Sequence, residues 1–342
     1  MTNDRVRPSR HRAEQDRAIG GYLRHQVGPY SPFYRQSFAQ AGVDLTRIRG
    51  TADLANLPFT ALADVDDPAS LVLRPEPDHV LANGEPGLRW TMRAATLFGR
   101  GGAAAKNRID PLYKPVHWVV AGDGLPLGYA PPDLERLAEL GRRWLEQAGL
   151  QPTDVLVSIL PPGPDVAFWQ LQLGARRGGV SALLLDSEPQ PAELQRLQPT
   201  VLAGRPADLA RLLERGMAEQ LQLAGLTTVL AVGERLSDGS RERLRELAAA
   251  VAPSEPAVVA AWAPPGARAV WAECRGGNAF HTWPDSEVVE VVDGEVVWTA
   301  LGWRGSVLVR LRTGIAGTLD DGICPTCRRT TPRVDRQGEP DR

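Results

Sequence analysis

Between Asp133 and Ala261 the chain alternates strand-length apolar runs with helix-length amphipathic segments, and this alternation restricts the available folds more than any other feature. A helix with an apolar face of Leu134, Leu137, Leu140, Trp144, Leu145 and Ala148 is predicted to start at Asp133, which can cap it, and to end at Gly149. Val155–Leu160 reads as a buried strand bounded by Pro161-Pro162-Gly163. Helices near 165–176, 191–197, 206–218 and Asp238–Ala250 then alternate with strands at Val180–Leu185, Thr200–Ala203, Thr227–Val232 and Ala257–Ala261. Such an order implies parallel strands joined by right-handed crossovers, hence an α/β fold of mostly parallel sheets with covering helices.

After residue 285 the period changes to two. Val288–Val292 and Glu295–Trp298 flank Asp293-Gly294, a hairpin signal because the turn needs positive φ. Gly305–Arg312 is predicted to add a third strand, giving a small antiparallel β-subdomain. The expected organisation is an N-terminal helical and loop-rich part at 1–128, an α/β part at 129–262, the β-subdomain at 263–334 and a tail at 335–342. Within the first part, residues 13–42 read as helical with a break at Gly28-Pro29, and Ser31-Pro32 starts a second helix. Asp53–Thr60 reads as a short helix running into an extended apolar hook. Gly84, Gly87, Gly99, Gly101 and Gly102 interrupt every period between 62 and 128, so loops and short strands are expected there.

All three cysteines fall late in the chain, at Cys274, Cys324 and Cys327, and His281 lies between them in the spacing C-x6-H-x42-C-x2-C. Cys3His is a tetrahedral zinc set, and a CxxC supplies two ligands from one knuckle. The alternative is that Cys274 is a core residue and the CxxC has no metal role. The net charge of −2 and the lack of a basic block remove electrostatic support for nucleic-acid binding. The start of the chain has no apolar h-region and no stretch approaches about 18 apolar residues, so neither secretion nor a membrane span is expected. Cysteines with a metal role fit a reducing cytoplasm.

Taken in order, Ser31-Pro32-Phe33-Tyr34, Leu57-Pro58-Phe59-Thr60, Tyr129 with Asp133-Leu134, Leu160-Pro161, Pro199 to Gly204, Gly233-Glu234, Glu273-Cys274, Phe280-His281-Thr282-Trp283, Leu311-Arg312-Thr313-Gly314 and Cys324-Pro325 form a series. The series resembles the phenylacetate-CoA ligase-like branch of the adenylate-forming enzymes, over roughly residues 20 to 334. The resemblance implies that branch's large N-terminal domain, strengthens the zinc expectation for Cys274, His281, Cys324 and Cys327, and implies activation of a carboxylate by ATP followed by transfer to a thiol.

That chemistry has requirements that the residues do not meet. A phosphate-wrapping loop needs hydroxyl and N–H donors, whereas the matching place, Ala121 to Pro126, has no hydroxyl and carries Asp123. Gly99-Arg100-Gly101-Gly102 is a weaker alternative cradle. The stretch Ala260 to Gly266 lacks the acidic residue expected near phosphate and metal. The motif whose carboxylate would hold the ribose hydroxyls ends as Arg312-Thr313-Gly314-Ile315, leaving Arg312 as a vestigial nucleotide contact or, alternatively, a strand ion pair. A C-terminal lysine domain is expected to be absent, since the only lysines are Lys106 and Lys114. The expected function is therefore a degenerate, noncatalytic accessory protein that binds a protein partner or an acyl or aryl ligand, with structural zinc and no ATP. The alternative is an acid-thiol ligase completed by another chain. Arg10-His11-Arg12 reads as a solvated terminus, and His25 and His117 as packed or surface histidines. Trp262, Trp271, Trp283, Trp298 and Trp303 read as core or as an exposed partner surface.

Overall fold

The computed structural model describes residues 3–83, 86–98, 102–121, 124–233 and 236–335. Helix α1 (Pro8–Tyr22) passes through a π-helical stretch at Leu23–Val27 into α2 (Gly28–Tyr30), so the predicted break at Gly28-Pro29 does not occur. Gly28 serves close packing instead: a β-carbon there would lie 2.5 Å from Leu45 Cδ1. The chain breaks at Ser31, whose hydroxyl accepts from the Tyr34 N–H and caps α3 (Pro32–Gln40). His11, expected in a solvated terminus, is buried.

A 3₁₀ turn at Thr51–Asn56 runs into the predicted hook, and Thr60 is anchored by backbone bonds to Arg310 and Arg312. Of the loops and short strands expected at 62–128, about half of the stretch is instead helical, in α4 (Pro77–Asn83), α5 (Pro86–Phe98) and α6 (Gly102–Tyr113). Proline opens two of them, where its missing N–H costs nothing. Gly87 and Gly102 lie in the first turns of α5 and α6, while Gly84, Gly99, Arg100 and Gly101 lie outside the described residues. Strands β1 (His117–Val120) and β2 (Pro126–Tyr129) form an antiparallel pair.

Helix α7 (Pro131–Gln147) starts two residues before Asp133 and ends before Gly149, whose φ is +90°. Asp133 is not the cap. It is buried in the first turn and accepts the N–H groups of Ala130, Arg304 and Gly305 at 2.7–3.0 Å. The alternation that follows matches expectation to within a few residues: β3 (Val155–Ser158), α8 (Val166–Gly178), β4 (Ser181–Leu184), α9 (Pro191–Leu197), β5 (Val201–Gly204), α10 (Pro206–Ala218), β6 (Thr228–Val232), α11 (Asp238–Val251) and β7 (Ala257–Trp262). Helices α7 and α8 meet backbone to backbone, since a β-carbon on Gly141 would lie 2.2 Å from the Gln170 carbonyl oxygen.

Short strands β8 (Trp271–Ala272) and β9 (Phe280–His281) precede the hairpin of β10 (Glu287–Val292) and β11 (Glu295–Ala300). Asp293 and Gly294 turn it with φ of 50° and 81°. The third strand is β12 (Leu311–Ala316), not Gly305–Arg312. Residues 306–308 bond instead to Gly128, Leu71 and Ala300, and Arg310 bends the chain at φ 47° before pairing with β11 begins. Strands β13 (Thr318–Asp320) and β14 (Arg333–Asp335) close the order. The large sheet runs β13-β14-β9-β8-β7-β6-β5-β3-β4, parallel from β7 through β4.

The chain forms two compact units. The first comprises residues up to 136, 265–267 and 283–319; the second comprises 137–264, 268–282 and the chain from 320. The five late tryptophans are all buried, which removes the exposed aromatic surface from consideration. In the first unit the indole N–H groups of Trp298 and Trp303 donate to Glu287 and to the Ser286 carbonyl, at 2.6 and 2.8 Å. In the second, Trp262 packs against Trp271 and Phe280 with ring centroids 6.0 Å apart. Among the described residues no helix is long and apolar enough to cross a membrane.

Because Asp133 satisfies three N–H groups, two of them in buried hydrogen bonds, Asp133→Ala should lower unfolding free energy by about 2–4 kcal/mol in urea denaturation. Asp133→Asn, which keeps an acceptor, should lose clearly less.

Candidate metal centre

Four side chains of the second unit converge at the edge of the large sheet. His281 ends β9, and Cys274 follows β8 by two residues, so adjacent antiparallel strands present both to one place. The segment from Cys274 is held by a Gly277 N–H bond to the Cys274 carbonyl. Glycine is required at 277, since a β-carbon would sit 2.7 Å from Cys274 Sγ. Cys324 and Cys327 lie between β13 and β14. The Cys324 N–H donates to the Arg329 carbonyl and the Arg328 N–H to the Cys324 carbonyl, with Arg328 at φ 61°, which folds the CxxC into a tight knuckle. Buried Arg333 fixes its base by donating to the Gly322 carbonyl and to Asp320.

The donor atoms of Cys274, His281, Cys324 and Cys327 all lie within 4.8 Å of one another. Cys274 and Cys324 sulfurs are 3.8 Å apart, and Cys327 Sγ is 3.6 Å from His281 Nε2. With metal–sulfur bonds of about 2.3 Å and metal–nitrogen bonds of about 2.0–2.1 Å, a tetrahedron has S···S edges of about 3.8 Å and S···N edges of about 3.5 Å. The residues therefore fit a closed four-coordinate ion, with the widest separation tightening by about 1 Å.

The sequence pattern identified these four residues but missed Thr331. Its buried hydroxyl lies 2.8 Å from His281 Nδ1. With Nε2 turned toward the cysteines, Nδ1–H donates to Thr331, which fixes the ring's orientation and tautomer. The contact between Cys274 and Cys327 holds the Cys327 thiol far below its usual range and, with burial, pushes Cys274 up.

A neighbouring buried pair ties the centre into the sheet. Glu273 accepts from Arg241 at 2.6 Å and from the Ala260 N–H at 2.9 Å, and burial still raises its carboxyl above the usual range.

The residues matched to nucleotide chemistry lie elsewhere. Arg312, on β12 in the first unit, is exposed and donates to Glu295 at 2.8 Å through Nε, so it occupies a strand ion pair. Gly314 donates to the other Glu295 oxygen, and Ile315 is buried. In the β1–β2 turn, Ala121 N–H donates to Leu125 and Gly124 N–H to Ala121. Gly122, Asp123 and the Gly99–Gly101 alternative lie outside the described residues. The His117 imidazole is held below its usual range by burial.

No family model matches the chain. It is 26% identical over 322 residues to the phenylacetate-coenzyme A ligase of Thermus thermophilus, a match covering 89% of this chain and 64% of that protein's length. The chain thus spans a little under two thirds of this curated relative. Its fold is shared with 2-hydroxyisobutyryl-CoA ligase in an open conformation bound to 2-HIB-AMP and CoA, at a TM-score of 0.72 and 20% identity over 97% of this chain and 70% of that one. A long-chain-fatty-acid-CoA ligase of Archaeoglobus fulgidus gives a TM-score of 0.50 at 15% identity, covering 67% of this chain and 52% of that one. The chain is thus similar over most of its length to a curated phenylacetate-coenzyme A ligase, and it shares its mixed α/β fold with 2-hydroxyisobutyryl-CoA ligase.

Proposed function

We propose that this chain is a zinc-stapled, noncatalytic relative of the acyl-CoA ligases, an accessory protein that binds an acyl or aryl ligand or a protein partner without activating a carboxylate through ATP. The observation that carries this reading is Ile315. It occupies the position the family motif gives to the ribose-binding carboxylate, and its side chain is buried. An isoleucine accepts no hydrogen bond, and each ribose hydroxyl left unpaired in a closed site costs about 1–3 kcal/mol. Two further observations support it. Arg312 is engaged by Glu295, and the Ala121 and Gly124 N–H groups are used within their own turn rather than directed at a polyphosphate.

Zinc is the ion the donor set suits best, because three thiolates and one imidazole match its preferences and leave no open position for water. Its role is then structural, and it contributes folding free energy directly. A second reading, an acid-thiol ligase completed by a lysine-bearing domain from another chain, is favoured by the 26% identity to a curated ligase.

ATP separates the two readings. Isothermal titration of the intact chain with Mg-ATP should show no micromolar binding, and hydroxylamine trapping with aromatic acids should yield no hydroxamate; either signal would overturn the noncatalytic reading. Metal analysis of protein purified without chelators should find about one zinc per chain, and Cys324→Ser should lose the metal and unfold at lower denaturant. A metal-free wild type of equal stability would exclude the zinc. In chelator competition Thr331→Val should weaken metal binding about 10–100-fold, with Thr331→Ser close to wild type.

A further inference from the structure

The three thiols of the Cys/His cluster differ in their access to solvent. Cys274 and Cys324 are buried, whereas Cys327 is only half-buried. The knuckle that carries Cys327 lies at the surface, since Ile323, Pro325 and Thr326 around it in the chain are exposed. Cys274 is the hub of the three: its sulfur lies 3.8 Å from Cys324 Sγ and is also in contact with Cys327. A reagent arriving from solvent therefore meets Cys327 first, and the buried sulfur of Cys274 is already beside it.

Oxidants attack cysteines according to exposure and thiolate character, and sulfurs that ligate a metal are thiolates. We infer that the cluster is a peroxide-responsive switch in which Cys327 and Cys274 form a disulfide and so dismantle the four-donor site. The Cys327 thiolate attacks one oxygen of hydrogen peroxide, the O–O bond breaks, hydroxide leaves, and a sulfenic acid remains. The Cys274 thiolate then attacks the Cys327 sulfur, the S–O bond breaks, and a second hydroxide leaves. The two thiolates together lose two electrons, and the peroxide that takes them up is reduced to the two hydroxides.

Cys324 and His281 are left, too small a donor set for a closed four-coordinate ion, so the cluster lets the metal go. The new bond joins the segment after β8 to the knuckle before β14. These are segments that the donor set itself brings together, so oxidation replaces a metal tie with a covalent one rather than opening the sheet edge. Metal release rests on the zinc reading above, whereas the disulfide rests on the sulfurs alone.

The test treats the intact, zinc-loaded chain with hydrogen peroxide, reading released metal with a chromophoric chelator and mapping the cysteines by mass spectrometry after trypsin. About one zinc per chain should be released as the disulfide forms. Cleavage at arginine places Cys274 in 269–275 and both knuckle cysteines in 313–328, so the expected product is these two peptides joined through a disulfide. Dithiothreitol with added zinc should restore the starting protein. The oxidised chain should unfold at higher denaturant than the reduced chain stripped of metal, because the disulfide constrains the unfolded state. The stripped chain should also form the cross-link, so a chain found to bind no zinc would remove the metal reading and leave the disulfide to be decided. Cys327→Ala, compared with wild type in the stripped form, should cross-link Cys274 about tenfold more slowly or less, since both remaining thiols are buried. Survival of all three thiols in excess peroxide, a disulfide confined to 313–328, sulfinic or sulfonic acid without a disulfide, or cross-linking of Cys327→Ala at the wild-type rate would each overturn the inference.

Discussion

Three sulfurs and one imidazole nitrogen gathered within 4.8 Å are the constraint on which the late part of this chain depends. The second unit is discontinuous in sequence. The chain leaves it after Thr282, contributes the hairpin and β12 to the first unit, and returns at Asp320. Strands β9 and β14, which are neighbours in the large sheet, lie on opposite sides of that excursion. Two backbone-paired residues on each strand give little to hold such an end together. The cluster gathers one side chain from β9 and two from the knuckle before β14, so it brings departure and return to one place.

The polar groups around the centre obey the same economy of satisfied donors and acceptors. Glu273 and Arg241 bury opposite charges beside Cys274 and give the remaining carboxylate oxygen to a sheet N–H. A buried pair is tolerated when its geometry is good and its other hydrogen bonds are made. Arg310 in the first unit donates to the Leu57 carbonyl at 2.8 Å while its guanidinium lies over Phe59. Both arginines hold backbone in place, which is where the strong interactions of this chain are spent.

The parallel sheet was legible in the sequence because strand and helix periods differ, and Val155 to Trp262 repeats the two without interruption. The Cys/His cluster was legible because thiols are few and their spacing is chemical. Helices α4 to α6 were not, because glycine reads as a breaker whether it interrupts an element or, as at Gly102, opens one. Asp133 misled for a related reason. A carboxylate before an apolar run signals a cap, and nothing local shows that Arg304 and Gly305 claim it through contacts about 170 residues away in the chain. Thr331 gave no signal, since a threonine next to a histidine in space has no spacing rule.

The contact between α7 and α8 has a consequence for anyone altering this protein. Glycine inside a helix is ordinarily an invitation to substitute alanine, which gains about 0.5–1 kcal/mol by restricting the unfolded chain. At Gly141 and Gly174 the facing backbones lie closer than a methyl group allows, with the added carbon of either meeting the other residue's main chain at 2.4–2.7 Å. These two positions act as a gauge block between helices. A consensus-style stabilisation at either one would wedge the pair apart and displace the layer that covers the sheet.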